Sequence, residues 1–375
     1  MAAMRAIGLM SGTSLDGVDV ALVETDGERV ERLGPTGYRP YSNEERDFLH
    51  GALADALQMK ARTDRPGRSR EAEELVTRLH AEAVEAFLRD QGMDPSDIGV
   101  VGFHGQTVLH RPESRLTVQL GDGQALARRL RIPVVYDLRA ADMERGGQGA
   151  PLVPVFHRAL VHAAGLERPV AILNLGGVAN VTFVGADDGL VAFDAGPGNA
   201  LIDDWMRERT GRVFDEEGRS AARGRPDEEL LEWLLQHPFF RRPPPKSLDR
   251  NWFSHRFVGH HTIEDGAATL TAFSARAVAR ALDFAPERPK RWIVAGGGTR
   301  NRELFRLLRQ HLAAEVTSAD EVGWSSAFLE AQAFAYMAVR SLKGFPLTYP
   351  NTTGVPEPTT GGIVARPGKR PRTVS

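Results

Sequence analysis

The chain has 375 residues, 42% hydrophobic and 26% charged, with a formal net charge of -2 and no cysteine. That length exceeds what one hydrophobic core usually organises, so two domains are expected. Near-neutral charge argues against a nucleic-acid partner. The lack of cysteine excludes disulfides, thiolate metal sites and cysteine nucleophiles, and it suits a reducing, cytoplasmic setting. No apolar run reaches membrane-spanning length, and no signal-like segment precedes the first strand-like run.

Residues 5–27 open the chain with two apolar runs, 6–10 and 18–23, on either side of Ser11-Gly12-Thr13-Ser14-Leu15-Asp16-Gly17. Two such runs around Asp-Gly predict a β-hairpin. Its turn holds two glycines, three hydroxyls and one carboxylate, a composition that lets backbone N–H groups approach a phosphate. An ordinary tight turn fits the same residues, and the Gly-Lys-Ser/Thr of a Walker loop is absent. Further strand and turn follow over 29–39, then helices over 43–57 and 70–89. In the second helix Leu75, Leu79, Ala83 and Phe87 recur every four residues, the mark of one buried face.

A strand over 98–103 runs into His104-Gly105-Gln106-Thr107. Ligands bind at strand C-termini in open α/β sheets, although a histidine there also serves as a structural donor. Residues 117–120, a helix over 124–130 and a strand over 133–136 lead to 137–154, where Asp137, Arg139 and Asp142 crowd together ahead of Gly146, Gly147 and Gly149. Three glycines in four positions suit a backbone that must approach something closely. The alternative is a surface loop whose acids pair with Arg139.

A second hairpin is expected over 170–184 around Gly176-Gly177. Residues 191–193 then form a strand ending in Asp194-Ala195-Gly196-Pro197-Gly198-Asn199, with a helix over 200–209. Strand, acid, glycines and helix N-terminus make an anion site, with a structural cap as the alternative. A helix over 228–236 precedes a stiff basic loop at 241–247 that would border an anionic ligand. His255, His260 and His261 lack the flanking ligands and helical register of a zinc site. After a helix over 268–282, the strand 292–295 enters Gly296-Gly297-Gly298-Thr299-Arg300-Asn301, and a helix begins near Arg302; that is a nucleotide-type turn. Glu330 sits among Phe328, Leu329, Ala331, Ala333 and Phe334, where a carboxylate is costly without a partner or a job. The tail from Ala365 is basic and Pro-rich, and is expected to be disordered.

Two glycine-turn hairpins, a strand–Asp–Gly–Pro–Gly–helix and a strand–triple-glycine–helix, in that order, resemble the superfamily of actin, sugar kinases and heat-shock chaperones. The resemblance implies an α/β, two-lobed actin-like ATPase (ribonuclease H-like) fold, with a mixed five-stranded sheet and flanking helices in each lobe and the active site in the interdomain cleft. Residues 8–19 would be the first phosphate loop, 193–199 the second and 295–301 the adenosine loop. The lobes would be 1–140 plus about 345–365, and 141–344, with 366–375 a tail.

The strings GLMSGTSLDGVDVAL, FHGQT, GGQGAPLVP, NLGGVANVT, FDAGPGN, PPPKS, GGGTRN and FLEAQAFAYMA are similar, collinearly and over nearly the whole chain, to the anhydro-N-acetylmuramic acid kinase family. Leu248-Asp249 stands where the family leads one to expect Thr-Gly, and Tyr136 and Met143 are further local departures. The resemblance implies ATP and Mg²⁺, with 1,6-anhydro-N-acetylmuramic acid as substrate, ring-opened by water while O6 is phosphorylated. It puts the general base on Asp194, with Glu330 positioning the water or the sugar. Nucleotide contacts would come from Gly12, Thr13, Ser14, Leu15, Asp16, Gly17, Val18 and Asp19, then Gly176, Gly177, Gly196 and Gly198, and then Gly296, Gly297, Gly298 and Asn301, with Asp16 also a metal contact. His104, Gln106, Arg139 and Asp142 would touch the sugar, with the Arg139 guanidinium on the lactyl carboxylate. No nucleic acid or membrane partner is expected; a homodimer is among the expected assemblies.

Overall fold

The opening residues fold as the expected hairpin in a computed structural model that describes residues 2–12, 14–248 and 252–368. β1 (Met4–Ser11) and β2 (Gly17–Thr25) pair antiparallel, with Met10 opposite Asp19. β3 (Val30–Pro40) adds to β2 antiparallel. α1 (Asn43–Ala56) starts at a capping box of Ser42 and Glu45, and α2 (Ser69–Asp90) buries Ala72, Val76, Leu79, Ala83 and Phe87 against the sheet. β4 (Val100–Arg111), β5 (Leu116–Leu120), α3 (Gly123–Leu130), β6 (Val134–Tyr136), α4 (Ala140–Glu144) and α5 (Pro154–Ala163) follow.

The next segment carries β7 (Val170–Leu175), β8 (Val178–Val184), β9 (Leu190–Pro197), α6 (Ala200–Thr210), α7 (Glu228–Leu235) and α8 (Ile263–Arg280). α8 begins earlier than periodicity suggests because Thr262 Oγ1 accepts from Asp265 N and caps it. β10 (Arg291–Ala295), α9 (Arg302–His311) and β11 (Glu315–Ser318) complete this part. α10 (Leu329–Leu342), α11 (Pro350–Thr353) and β12 (Ile363–Ala365) end the described chain. Thr13, Asp249 and the tail from 369 lie outside the described residues.

Both sheets are built on one plan. In the first, β3-β2-β1 form an antiparallel meander, and β4 and β6 continue parallel on the far side of β1. In the second, β9-β8-β7 form the meander, and β10 and β11 continue parallel. The second sheet has the expected five strands, whereas the first has seven. The two extra strands have plain causes: β4 outruns its neighbours and folds back on itself through β5, and β12 covers the free edge of β6.

The chain divides into compact units after Ala163 and again after Leu329, later than the expected break at 140 and earlier than that at 344. Packing explains both shifts. α5 lies against β3 and Arg158 donates to Tyr349 Oη, so α4 and α5 stay with the first sheet. α10 returns to the first sheet from its first turn. Along β1 and β4, Ile7, Leu9, Val101 and Phe103 point to the α1–α3 side, and the alternating Gly8 and Gly102 point to α10. A methyl group on Gly8 would overlap the Ala331 carbonyl, and one on Gly102 the Phe334 carbonyl. Helix and strands therefore meet backbone to backbone. Among the described residues no helix is long and apolar enough to cross a membrane.

Gly102→Ala is expected to lower stability by roughly 1–3 kcal/mol or more, because it overpacks a contact with no side chain to move aside. A thermal melt of the purified variant checks this; an unchanged melting temperature would mean that α10 shifts freely.

Candidate functional site

In the first unit the hairpin turn is clamped from several sides. Leu15 N donates to Gly12 O at 3.3 Å, and Gln106 Nε2 reaches the same carbonyl at 3.1 Å. Asp16 O accepts from Tyr41 N and from Tyr38 Oη, each at 2.8 Å. Leu15 takes a positive φ of 52° yet sends its side chain into the core, and Val18 is fully buried too. Gly17 packs against the Arg39 carbonyl. Among the described residues of the turn the exposed ones are Ser14 and Asp16, whose Oγ and Oδ1 are hydrogen-bonded at 2.9 Å.

Behind them, Asp19 is partly buried on β2. Burial, then the charges of Asp16 and Glu330, push its carboxyl up to about 7. Asp16, Asp19 and Glu330 thus form one electrostatically coupled acidic group, and Glu330 is brought there by the first turn of α10. Arg139 balances it in part: its guanidinium is attracted by Glu330 and Asp142, while burial pulls its pKa down.

The expected sugar contacts sit differently from the sequence reading. His104 and Gln106 lie inside β4, not beyond its end, because Gly105 turns the strand at a φ of +72° and β4 then continues along β5. Arg139 donates to Gly149 O at 2.8 Å and to His104 Nε2 at 3.1 Å. Accepting at Nε2 makes His104 the neutral Nδ1–H tautomer, and burial holds its pKa well below the ordinary imidazole range. Beside it opens a cavity of about 260 Å³ whose lining includes Phe103, Gln119, Tyr136, Asp137 and Arg62.

Asp142 is a clamp. Its Oδ1 accepts from Gly149 N at 2.6 Å and its Oδ2 from Thr353 Oγ1 at 2.5 Å, and the side chain is buried. No hydrogen bond joins it to Arg139 among those described: Asp142 ties the glycine loop to α11, while Arg139 holds the same loop through Gly149 O. Asp137 pairs instead with Arg62.

In the second unit β9 continues through Pro197, so Asp194 lies within the strand, opposite Asn180 on β8, and not in a turn. Its amide donates to Lys246 O at 3.1 Å, and its Oδ2 accepts from Leu248 N at 2.8 Å. Residues 246–248 thus form a strap along β9. The Lys246 side chain turns inward: Nζ donates to Phe239 O at 3.1 Å and lies 4.2 Å from the Phe284 ring centre. Burial, with Arg242 nearby, lowers its amine to about 8. The loop expected to present charge to an anion therefore buries its lysine. Burial raises the Asp194 carboxyl to about 6, against the opposing pull of the Leu248 N–H and Lys246.

The glycine turns of this unit are stitched together. Gly198 N donates to Gly177 O at 3.0 Å and Asn199 N to Gly176 O at 2.8 Å, so these N–H groups are already used. Gly198 has no room for a side chain beside the Gly176 carbonyl, and Gly196 packs on Ala277 of α8. Gly296, at a φ of +84°, packs on Asn174, and Gly298 on Leu175. Asn301 caps α9 through Leu304 N at 3.0 Å. Gly177 and Gly297 are the exposed glycines of the set.

Sequence reasoning missed Asn180. Strand register sets Asn174, Asn180 and Asp194 side by side across β7, β8 and β9, and Asn180 Oδ1 is buried with no partner among the described residues. The string NLGGVAN holds the signal once the turn length fixes which residues oppose each other.

Two α/β units on one meander-plus-parallel plan, with glycine turns and strand-held carboxylates, define the actin-like ATPase and sugar-kinase fold class. Sequence comparison gives the particular assignment. The anhydro-N-acetylmuramic acid kinase family model matches residues 4–366, and the chain belongs to that family. It is a kinase. Relatives bearing that family name include those of Methylobacterium nodulans, 67% identical over 97% of this chain and all of the relative, and Methylorubrum extorquens, 64% identical over 98% of this chain and all of the relative. That of Rhodopseudomonas palustris is 58% identical over 97% of this chain and all of the relative. Among solved structures, a Streptomyces griseus glucokinase in complex with glucose and AMPPNP aligns with a TM-score of 0.40 at 13% identity, over 90% of this chain and 99% of that one. Likeness at that distance assigns no substrate.

Asp142→Ala strands the Gly149 N–H and the Thr353 hydroxyl in a buried setting, at about 1–3 kcal/mol for each unsatisfied group. The expected result is a marked fall in the urea midpoint. A variant of unchanged stability with only a raised sugar KM would instead make Asp142 a substrate contact.

Proposed function

We propose that the chain is an ATP-dependent kinase acting on 1,6-anhydro-N-acetylmuramic acid, opening the anhydro bridge with water while phosphorylating O6, to give N-acetylmuramic acid 6-phosphate and ADP. Such an activity belongs to cell-wall recycling and amino-sugar catabolism, and its need for ATP accords with a cytoplasmic setting. The relatives' names support the substrate. The observation that carries the mechanism is Asp194, a strand-held carboxylate with one oxygen fixed by Leu248 N and a pKa raised to about 6.

A water molecule attacks C1 on the face opposite the bridge and gives its proton to the other oxygen of Asp194. A base with a pKa near 6 is ionised at neutral pH and still basic enough to take that proton. The new C1–O bond forms as the C1–O6 bond breaks, and the electron pair leaves with O6. That alkoxide attacks the γ-phosphorus of ATP in line, and ADP departs. Glu330 orients the sugar and water. Arg139, whose Nε is buried without a partner among the described residues, receives the lactyl carboxylate. Ser14 and the turn around it, with the exposed Gly177 and Gly297, approach the nucleotide.

Asp16 and Asp19 suit Mg²⁺. They are hard oxygen donors; burial, and then repulsion from Asp16 and Glu330, lifts the Asp19 carboxyl to about 7, and a divalent cation would relieve that repulsion. When bound there, the ion supplies charge neutralisation for the phosphates.

Asp194→Asn should lower turnover by roughly 10²–10⁴-fold with ATP binding retained; near wild-type turnover would move the base elsewhere. In the wild type the ionised form of Asp194 is active, so kcat/KM should rise with pH through about 6 and level off above it. Reaction in ¹⁸O-labelled water, read promptly by mass spectrometry, should give a product with one heavy oxygen at C1 and a phosphate on O6. Phosphorylation of N-acetylmuramic acid itself, with the anhydro sugar inert, would overturn the proposal.

A further inference from the structure

The histidines that look unsupported in the sequence gain a ligand from the fold. Asp227, at the start of α7, comes to lie against His260 and His261 in the turn before α8, and one ligating atom from each lies within 4.8 Å of the other two. His261 Nε2 is 3.0 Å from Asp227 Oδ2, close to the separation of about 3.3 Å that two donors at 2.0–2.1 Å from a tetrahedral zinc require. The two imidazole rings stand 4.1 Å apart, centre to centre. His255, the third candidate, points elsewhere and pairs with Glu208 at 2.7 Å.

Both parts of the cluster are firmly held, as a preorganised site demands. Asp227 N donates to Thr269 Oγ1 on α8 at 2.9 Å, and its Oδ1 caps α7 through Leu230 N at 3.0 Å, leaving Oδ2 turned to the histidines. The histidine turn is fixed by Arg209 Nη1 on Gly259 O at 3.0 Å and by His261 N on Val258 O at 3.0 Å. His260 is exposed and His261 partly buried, so the cluster opens to solvent on one side.

We infer that Asp227, His260 and His261 form a binding site for a borderline-soft divalent metal of the zinc class, in the second unit and apart from the acidic group at Asp16 and Asp19. Two imidazoles and one carboxylate are a zinc-type donor set, with a fourth position left for water. Mg²⁺, which prefers oxygen donors in octahedral array, is a poor competitor for it. The metal joins the start of α7 to the turn before α8. The segment between them carries the strap at Lys246 and Leu248 that holds Asp194.

The test is calorimetric titration of the chelator-stripped full chain with zinc chloride, in excess Mg²⁺, beside three variants. Asp227→Asn keeps the helix cap, since asparagine caps as well as aspartate, but loses the charged ligand. His260→Ala removes an exposed ligand without touching the core, and His255→Ala leaves all three ligands in place. The expected result is one zinc per chain in the wild type and in His255→Ala, with affinity at least roughly 10–100-fold weaker in the other two. Zinc should also raise the melting temperature of the wild type but not of Asp227→Asn or His260→Ala. Unchanged affinity in those two variants, or no stoichiometric binding by the wild type, overturns the inference.

Discussion

The contact on which the first unit depends is the meeting of α10 with β1 and β4 at Gly8 and Gly102. With no side chain on either strand at those positions, the helix backbone sits against the sheet, at the Ala331 and Phe334 carbonyls. A helix packed that closely cannot slide or rotate without a clash. Its first turn is therefore held in one place, and Glu330 is held with it beside Asp19. The place of Glu330 in the acidic group, its contribution to the raised Asp19 carboxyl and its partial balance by Arg139 follow from two missing methyl groups. Glu330 has its cost offset in part by Arg139 on the loop after β6, while Asp16 and Asp19 of the opening hairpin repel it.

A second constraint organises the other unit by different means. Asp194 is kept in β9 by pairing with β8 on one side and by the strap at Lys246 and Leu248 on the other. The strap is anchored through the lysine, buried among Phe193, Phe239 and Phe284, where cation–π attraction and the Phe239 carbonyl replace its hydration. One N–H from the strap orients the carboxylate, and burial raises its pKa. The backbone thus sets the direction of the group, and burial its basicity. The family departure at Leu248 costs nothing in this respect, because the contact is made by an amide N–H that any residue but proline provides.

The architecture was readable from local pattern. The alternation of β1 and β2, the four-residue repeat of α2 and the order of glycine turns gave the elements, and their succession gave the fold and family. Boundaries were less readable where a strand outlasts its obvious signal. β4 and β9 continue through residues that look like turns, because β4 bends at the positive-φ Gly105 and then pairs with β5, and β9 stays paired with β8 at 194. Several residues expected as ligand contacts also act as internal fasteners: Asn301 caps a helix, Gly198 makes room for a carbonyl, and Asp142 ties a glycine loop to α11. Residue type at a turn signals that the backbone is tightly constrained, and it does not say whether a ligand or another loop imposes the constraint.

What this sequence determined by itself was therefore everything set within a few residues: periodicity, turns, caps and the collinear strings that mark the family. Only tertiary structure decided which N–H groups are already used, which carboxylate is a clamp and which lies in a coupled acidic group, and that Asp227 faces His260 and His261. The physical reason is distance along the chain. The hydrogen bond that makes Asp142 a clamp joins residues 211 apart, and the one that brings Asp227 to His261 joins residues 34 apart. Propensity and periodicity act over a turn of helix or a strand pair, so partnerships of that span exist only once the sheets have formed and the helices have packed.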